Sequence, residues 1–247
     1  RVPHLFSLED DFMPKSVFAF KEFAVKQDKC SMKISTDSVL IGAWADAKKA
    51  KAILDIGTGT GIIALMLAQR SSAKIDAVDI CKDACSQAKE NFSQSKWNKR
   101  LNVHHTSVQN FSPLKIYDVI VSNPPFFPCP LSHTEKDGAQ ARFTHKLSFT
   151  ELADDVVRLL APKGSFYVIL PIHEGAHFTN EAEKRKLYLT QYTWVKTTSR
   201  KKFPKRILMQ FEFFRQPIDE DNLLVIQSDN RYTDEYKELT KEYYMKF

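Results

Sequence analysis

Apolar and polar positions alternate along this chain in blocks of two kinds. Short apolar runs at residues 52–56, 74–80, 101–105, 117–122 and 165–170 read as strands. Between them, residues 62–70, 83–95 and 149–160 carry no Gly or Pro and read as helices, the last closed by Pro162-Lys163-Gly164. Strands separated by helical stretches of this length predict βαβ units and a parallel sheet. Beyond Pro171 a helix is expected over 174–185. Two β-rich runs follow, 187–195 and 206–214, as a hairpin at one sheet edge. The segment 234–247, with Tyr236, Tyr243 and Tyr244, reads as a C-terminal helix. The predicted architecture is α/β: a seven-stranded, mostly parallel sheet with helices on both faces.

Composition narrows the class. The 247 residues are 43% hydrophobic and 12% aromatic, too apolar for a disordered chain and long enough to bury a core without disulfides or a structural metal. No apolar run reaches the roughly 18–20 residues of a membrane helix, and the first residues turn acidic at once, unlike a signal peptide. Residues 1–17 read as an N-terminal extension, with Met13 as the natural start. Residues 18–247 read as one domain, in which 18–50 form a cap segment. Cys30, Cys81, Cys85 and Cys129 are scattered and lack zinc-site spacing, so free thiols, a cytoplasmic setting and no metal are expected. His173-Glu174-Gly175-Ala176-His177 matches a zinc-protease pattern, yet Pro171 and Gly175 argue against the stable helix that pattern needs. Lys and Arg number 36 against 30 Asp and Glu, a net charge of +6 that points weakly to an anionic partner.

Between the first strand and helix stands Asp55-Ile56-Gly57-Thr58-Gly59-Thr60-Gly61. Glycines there permit a tight turn and close approach of a ligand to the helix N-terminus. The order is G-x-G-x-G rather than the G-x-G-x-x-G that cradles a pyrophosphate. A carboxylate two residues ahead would repel phosphate but pair with an ammonium group. Asp79 ends the second strand, where an acid accepts bonds from ribose hydroxyls, and Ile80 lies beside it. Together these residues resemble the cofactor site of class I S-adenosylmethionine-dependent methyltransferases, a Rossmann-like fold. That resemblance implies S-adenosylmethionine as cofactor, held by Asp55, Gly57, Gly59, Gly61, Asp79 and Ile80, with Asn123 after the fourth strand also among its contacts. Ser107 and Val108, after the third strand, stand where this superfamily often has an acid on the adenine.

Ser122-Asn123-Pro124-Pro125-Phe126-Phe127 follows the fourth strand, and its prolines stiffen the exit loop. The run resembles the Asn-Pro-Pro-Tyr/Phe signature of amino methyltransferases. An exocyclic or amide nitrogen is a poor nucleophile because its lone pair is delocalised. The Asn123 side-chain oxygen and the Pro124 carbonyl suit acceptance of its N–H groups, and Phe126 suits stacking on a planar substrate. This signature alone leaves adenine, guanine and glutamine substrates open, and a non-catalytic cofactor- or RNA-binding module is a further reading.

The rest of the chain narrows the choice. Asp28-Lys29-Cys30, Met32-Lys33, Thr36-Asp37 and Leu40 to Trp44 closely resemble the N-terminus of the bacterial tRNA1(Val) (adenine-37-N6)-methyltransferase family. Ala141-Arg142-Phe143-Thr144 and the Tyr232 to Thr240 ending resemble it too. The resemblance spans about residues 18–247 and implies methylation of adenosine-37 N6 in a valine tRNA. It also implies that Lys33, Thr36 and Asp37 cover the methionine end of the cofactor, although Thr36 and Asp37 equally suit a helix cap. The family motif has Tyr where this chain has Phe126. Lys196, Arg200, Lys201, Lys202, Lys205 and Arg206 fall in an acid-free stretch with Phe203, suited to phosphates and one stacked base, or to a solvated hairpin loop. Phe127 and Arg142 complete the expected substrate-side set, and the protein is expected to act as a monomer.

Overall fold

In the computed structural model, which describes residues 16–124, 147–218 and 223–246, the chain enters through a small antiparallel hairpin. Its strands are β1 (Val17–Ala19) and β2 (Ala24–Lys26), followed by helix α1 (Thr36–Trp44). Ser35 caps α1 by accepting from the Ser38 amide, and the helix buries Val39, Leu40 and Ile41. Glycine at position 42 lets α1 approach α2 (Ile62–Arg70) closely, since a Cβ there would lie 2.7 Å from the Met66 sulfur.

Strands β3 (Ala52–Ile56), β4 (Lys74–Asp79), β5 (Leu101–His105), β6 (Tyr117–Ser122) and β7 (Leu160–Pro171) pair in parallel. Helices α3 (Lys82–Gln94) and α4 (Phe149–Leu159) provide crossovers, and a reciprocal Ser148–Glu151 capping box starts α4. Helix α5 (Ile172–Glu183) leads to β8 (Tyr188–Thr198) and β9 (Arg206–Glu212), with β9 antiparallel to both β7 and β8. Strand β10 (Leu223–Ser228) then pairs in parallel with β8, and β11 (Arg231–Tyr232) closes the edge. The order is β11-β10-β8-β9-β7-β6-β3-β4-β5. Apolar side chains on the two faces form separate cores. One lies beneath α1, α2, α3 and α6 (Asp234–Thr240), the other beneath α4 and α5. The Phe20, Phe23 and Val25 side chains of the N-terminal hairpin region belong to the first of these cores.

Several details differ from expectation. The seven expected strands are present and β10 and β11 extend them, so the β8–β9 hairpin is not at the edge; Leu224 and Ile226 turn inward and make β10 a true strand. The C-terminal helix stops at Thr240, after which the Tyr243 and Tyr244 amides both donate to the Thr240 carbonyl and the Tyr243 side chain turns inward to donate to the Met66 carbonyl. Residues 173–177 do lie within a helix. Pro171 stands at the N-cap of α5, where no amide hydrogen is needed. Gly175 lets α5 press against β9, as a Cβ would sit 2.7 Å from the Ile207 side chain. Among the described residues no three His, Cys, Asp or Glu side chains converge as metal ligands, and no helix is long and apolar enough to cross a membrane. Cys30 and Cys85 are buried free thiols, each pushed up to about 12 by burial. Cys129 lies outside the described residues.

Candidate active site

Chain order reverses between β3 and β6, the strands from which the two motifs emerge. Their register pairs Ile56 with Ser122, and the Ser122 hydroxyl donates to the Ile56 carbonyl at 2.9 Å. The glycine turn and the Asn123 loop therefore start side by side at the carboxyl ends of the strands. A crevice at such a reversal is where open α/β sheets bind ligands.

Gly57, Gly59 and Gly61 all have positive φ (74°, 56° and 82°), which L side chains rarely adopt. The Gly57 and Thr58 amides donate to the Val78 carbonyl and tie the turn to β4. Asp55 is fully buried. Its Oδ2 accepts from the Thr58 hydroxyl at 2.6 Å, whereas its Oδ1 is buried without a well-formed hydrogen bond; the Ala64 amide in the first turn of α2 also favours the charged form of this carboxyl. Burial pushes this carboxyl from an ordinary 3.8 up to about 7. Asp79 closes the far side of the turn, accepting from the Gly59 amide at 2.9 Å and the Cys81 amide at 2.8 Å, and burial raises it as well. The glycines differ in role. A Cβ on Gly61 would lie 2.5 Å from the Phe92 ring, so this residue packs α2 against α3. A Cβ on Gly59 would enter open space. Ile80, next to Asp79, is 42% exposed. Ser107 accepts from the Asn110 amide, and Val108 is buried.

The Asn123 amide donates through Nδ2 to the Ser38 hydroxyl at 3.1 Å, which brings the first turn of α1 to the base of the loop after β6. Pro124 follows and is buried; Pro125, Phe126, Phe127 and Arg142 lie outside the described residues. Lys33 donates to the Gln27 carbonyl, Thr36 opens α1, and Asp37 pairs with Arg206 at 2.8 Å. One residue of the expected cofactor cover and one of the expected phosphate contacts thus form a single half-buried ion pair.

The remaining cations of the basic stretch lie around the turn between β8 and β9. Because β9 runs antiparallel, this turn opens at the same end of the sheet as Asn123; Arg206 is paired in register with Pro171 at the end of β7. Lys201, Lys202 and Lys205 are exposed, and Lys196 is half-buried near the end of β8. Phe203 is 67% exposed with the Lys202 ammonium 5.2 Å from its ring centre. Arg200 approaches exposed Asp229 only at 4.0 Å.

The family model of the methyltransferase small domain matches residues 31–187. A curated relative from Phocaeicola vulgatus, named tRNA1(Val) (adenine(37)-N6)-methyltransferase, is 44% identical over 233 residues, covering 94% of this chain and 99% of its own. A relative of the same name from Trichodesmium erythraeum is 42% identical over 236 residues, covering 93% and 98%. The chain belongs to the tRNA1(Val) (adenine(37)-N6)-methyltransferase family. A solved structure described as a predicted O-methyltransferase from Agrobacterium tumefaciens matches with a TM-score of 0.66 at 15% identity, covering 84% of this chain and 96% of that one. The CcbJ methyltransferase from Streptomyces caelestis matches with a TM-score of 0.54 at 13% identity, covering 72% and 90%. These likenesses bear on the fold, which is that of class I S-adenosylmethionine-dependent methyltransferases.

In this methyltransferase, three polar contacts at the site escape a reading of the sequence. Thr58 holds Asp55, Ser122 joins the two strand ends, and Ser38 holds Asn123. Thr58 had a signal in its place inside the glycine turn. Ser38 had only that of a helix start, since its partner lies 85 residues away.

The two glycines give opposite expectations. Gly61→Ala combines a forbidden φ with a clash against buried Phe92 and should destabilise the protein by about 2 kcal/mol or more. Gly59→Ala meets no atoms and should cost only about 1 kcal/mol, while its methyl group fills the open face of the turn and weakens cofactor binding. Urea unfolding and calorimetric titration with S-adenosylmethionine, run on both variants, check this order.

Proposed function

We propose that this protein transfers a methyl group from S-adenosylmethionine to N6 of adenosine-37 in the anticodon loop of a valine tRNA, acting as a cytoplasmic monomer. The observation that carries the reading is the adjacency of the Asp55 glycine turn and Asn123 on paired strands at the point of chain reversal. The tRNA substrate and its position rest on the name shared by the family's curated members.

The residues present fit the cofactor. The unpartnered Oδ1 of Asp55 is an acceptor that an amino acid ammonium would satisfy, and the open face at Gly59 leaves room at the turn. Asp79 accepts one amide bond at each oxygen and retains lone pairs for ribose hydroxyls. Exposed Ile80 offers an apolar surface to the adenine, with Ser107 and Val108 beyond it. Lys33, Thr36 and Asp37 stand at the start of α1 toward the methionine end. When bound, S-adenosylmethionine supplies a methyl group on a positively charged sulfur.

The chain's own part is orientation and polarisation. Oδ1 of Asn123 and the Pro124 carbonyl accept the two N–H groups of the adenine amine and turn its lone pair toward the methyl group. Pro125 stiffens the loop, and Phe126 and Phe127 stack on the extruded base. No strong base is needed. An anticodon-loop adenine is already partly unstacked, so presenting it costs less than flipping one from a duplex. Lys196, Arg200, Lys201, Lys202 and Lys205 serve the tRNA backbone, Phe203 serves an unpaired base, and Arg142 belongs to the substrate-side set.

Nucleoside mass spectrometry of valine tRNA incubated with the protein and labelled S-adenosylmethionine should show N6-methyladenosine at position 37. Label in protein, or in N2-methylguanosine, would overturn the substrate. Asn123→Ala should lower kcat by about a hundredfold, a loss far larger than any in cofactor affinity.

Asp55 gives a pH dependence. Its carboxyl in the free protein sits at about 7, so between about pH 4 and 7 the folded state holds a proton that the unfolded state has lost. Stability from this group is therefore full below about pH 4 and falls as pH rises toward 7. An ammonium partner favours the carboxylate, so S-adenosylmethionine affinity should rise with pH by up to about tenfold per unit below 7, then flatten. Titrations with methylthioadenosine, which lacks the amino acid end, should show no such rise.

Double replacement of Lys201 and Lys202 by Ala should weaken tRNA binding and shallow its log–log salt dependence by about 1.4, if both contact phosphates of a single-stranded loop. Filter binding over a salt series reads this slope, and cofactor affinity serves as the unchanged control.

A further inference from the structure

Asn123 has one difficulty that its own position does not solve. The two ends of its amide are nearly equal in shape and opposite in hydrogen-bonding sense. If Oδ1 faces the adenine amine, acceptor meets donor. If Nδ2 faces it, donor meets donor and the lone pair is not steered. Some neighbour must therefore choose the end.

We infer that Ser38 is that neighbour, a positioning residue whose hydroxyl accepts from Asn123 Nδ2 and so directs Oδ1 toward the target amine. The inference rests on the reading of Asn123 as the acceptor for that amine. Nδ2 donates to the Ser38 oxygen at 3.1 Å. The hydroxyl is itself held, lying 3.0 Å from the Ser35 hydroxyl, whose oxygen also accepts the Ser38 amide at 3.1 Å. Ser38 can thus donate its own proton to Ser35 and keep lone pairs for Asn123.

The support beneath Ser38 is rigid. Its turn of α1 is capped by Ser35, pinned to β9 by the Asp37–Arg206 ion pair, and followed directly by buried Val39, Leu40 and Ile41. The base of the Asn123 loop is fixed separately, through Ser122 to Ile56. Two rigid elements meeting at one hydrogen bond define the amide's rotation to the degree a catalytic group needs. The same turn contacts Arg206, where the basic stretch ends, so the chain segment that orients Asn123 is also tied to the tRNA side.

Steady-state kinetics with valine tRNA on five variants tests this: Ser38→Val, Ser38→Thr, Ser38→Ala, Asn123→Ala and the Ser38→Ala/Asn123→Ala double. Ser38→Val removes the hydroxyl and keeps the shape of Ser38→Thr, so Val should lower kcat by about three- to tenfold and Thr should stay within about twofold of wild type. The KM for S-adenosylmethionine should hold in both. Ser38→Ala should match Val in the wild-type background and add nothing to Asn123→Ala, since a residue acting only through Asn123 has no effect once that amide is gone. An equal fall from Ser38→Ala in both backgrounds, or a loss seated wholly in KM, overturns the inference while leaving Asn123 in its role. Wild-type kcat in Asn123→Ala alone would overturn the role of Asn123 and this inference with it. Thermal melting of each variant separates a folding loss, which would lower active protein for Thr and Val alike, from the split expected here.

Discussion

The parallel pairing of β3 with β6 is the constraint on which the rest of the site depends. It sets Ile56 beside Ser122, and the Ser122 hydroxyl closes onto the Ile56 carbonyl so that the two strand ends cannot drift apart. Every functional group at the site reaches its place relative to that junction. Asp55 lies one residue before it and Asn123 one residue after. Asp79 is joined to it through the Gly59 amide, and Ser38 through Asn123. The relative placement of the glycine turn and Asn123 is thus built from backbone register, which is far stiffer than any side-chain torsion.

The local order of the sheet was largely legible in the chain because strand and helix signals are short-range. The apolar run at 52–56, the glycines after it and the prolines after Asn123 each impose their geometry on immediate neighbours. What escaped was of two kinds. Contacts between distant segments, such as Ser38 with Asn123 or Asp37 with Arg206, 169 residues apart, leave no local mark. Breakers that tertiary packing tolerates also misled. Pro171 at an N-cap loses nothing by lacking an amide hydrogen, and Gly175 is needed by a close helix–strand contact, so residues 173–177 are helical despite both. Strand β10 is a short run whose partner β8 precedes β9 in the chain, so its pairing leaves no local mark either.

The glycine turn carries a cost that folding alone does not explain. Three consecutive alternate residues adopt left-handed backbone, and a fully buried carboxyl keeps one oxygen without a partner. Gly61 repays part of this by packing on Phe92, and Thr58 satisfies the other carboxyl oxygen. Gly59 has no such return within the protein, and Asp55 Oδ1 has none from a side chain. An unsatisfied buried acceptor and a backbone that faces open space are features a ligand completes, which is why the turn reads as a binding device rather than a strand connection.

The net charge of +6 says little until topology is added. Were β9 parallel to β7, the turn before it would open at the opposite end of the sheet from Asn123. Its antiparallel course folds the basic stretch back onto the carboxyl edge, within one ion pair of α1. Arg206 is the residue that pays out its charge inside the protein. A half-buried pair of this kind adds little to stability, because desolvation offsets most of the attraction. Its value is geometric: it ties the turn that presents cations and Phe203 to the helix that holds Asn123. Through that pair the exposed Lys201, Lys202 and Lys205 project from a turn anchored to α1, and α1 in turn holds Asn123 through Ser38.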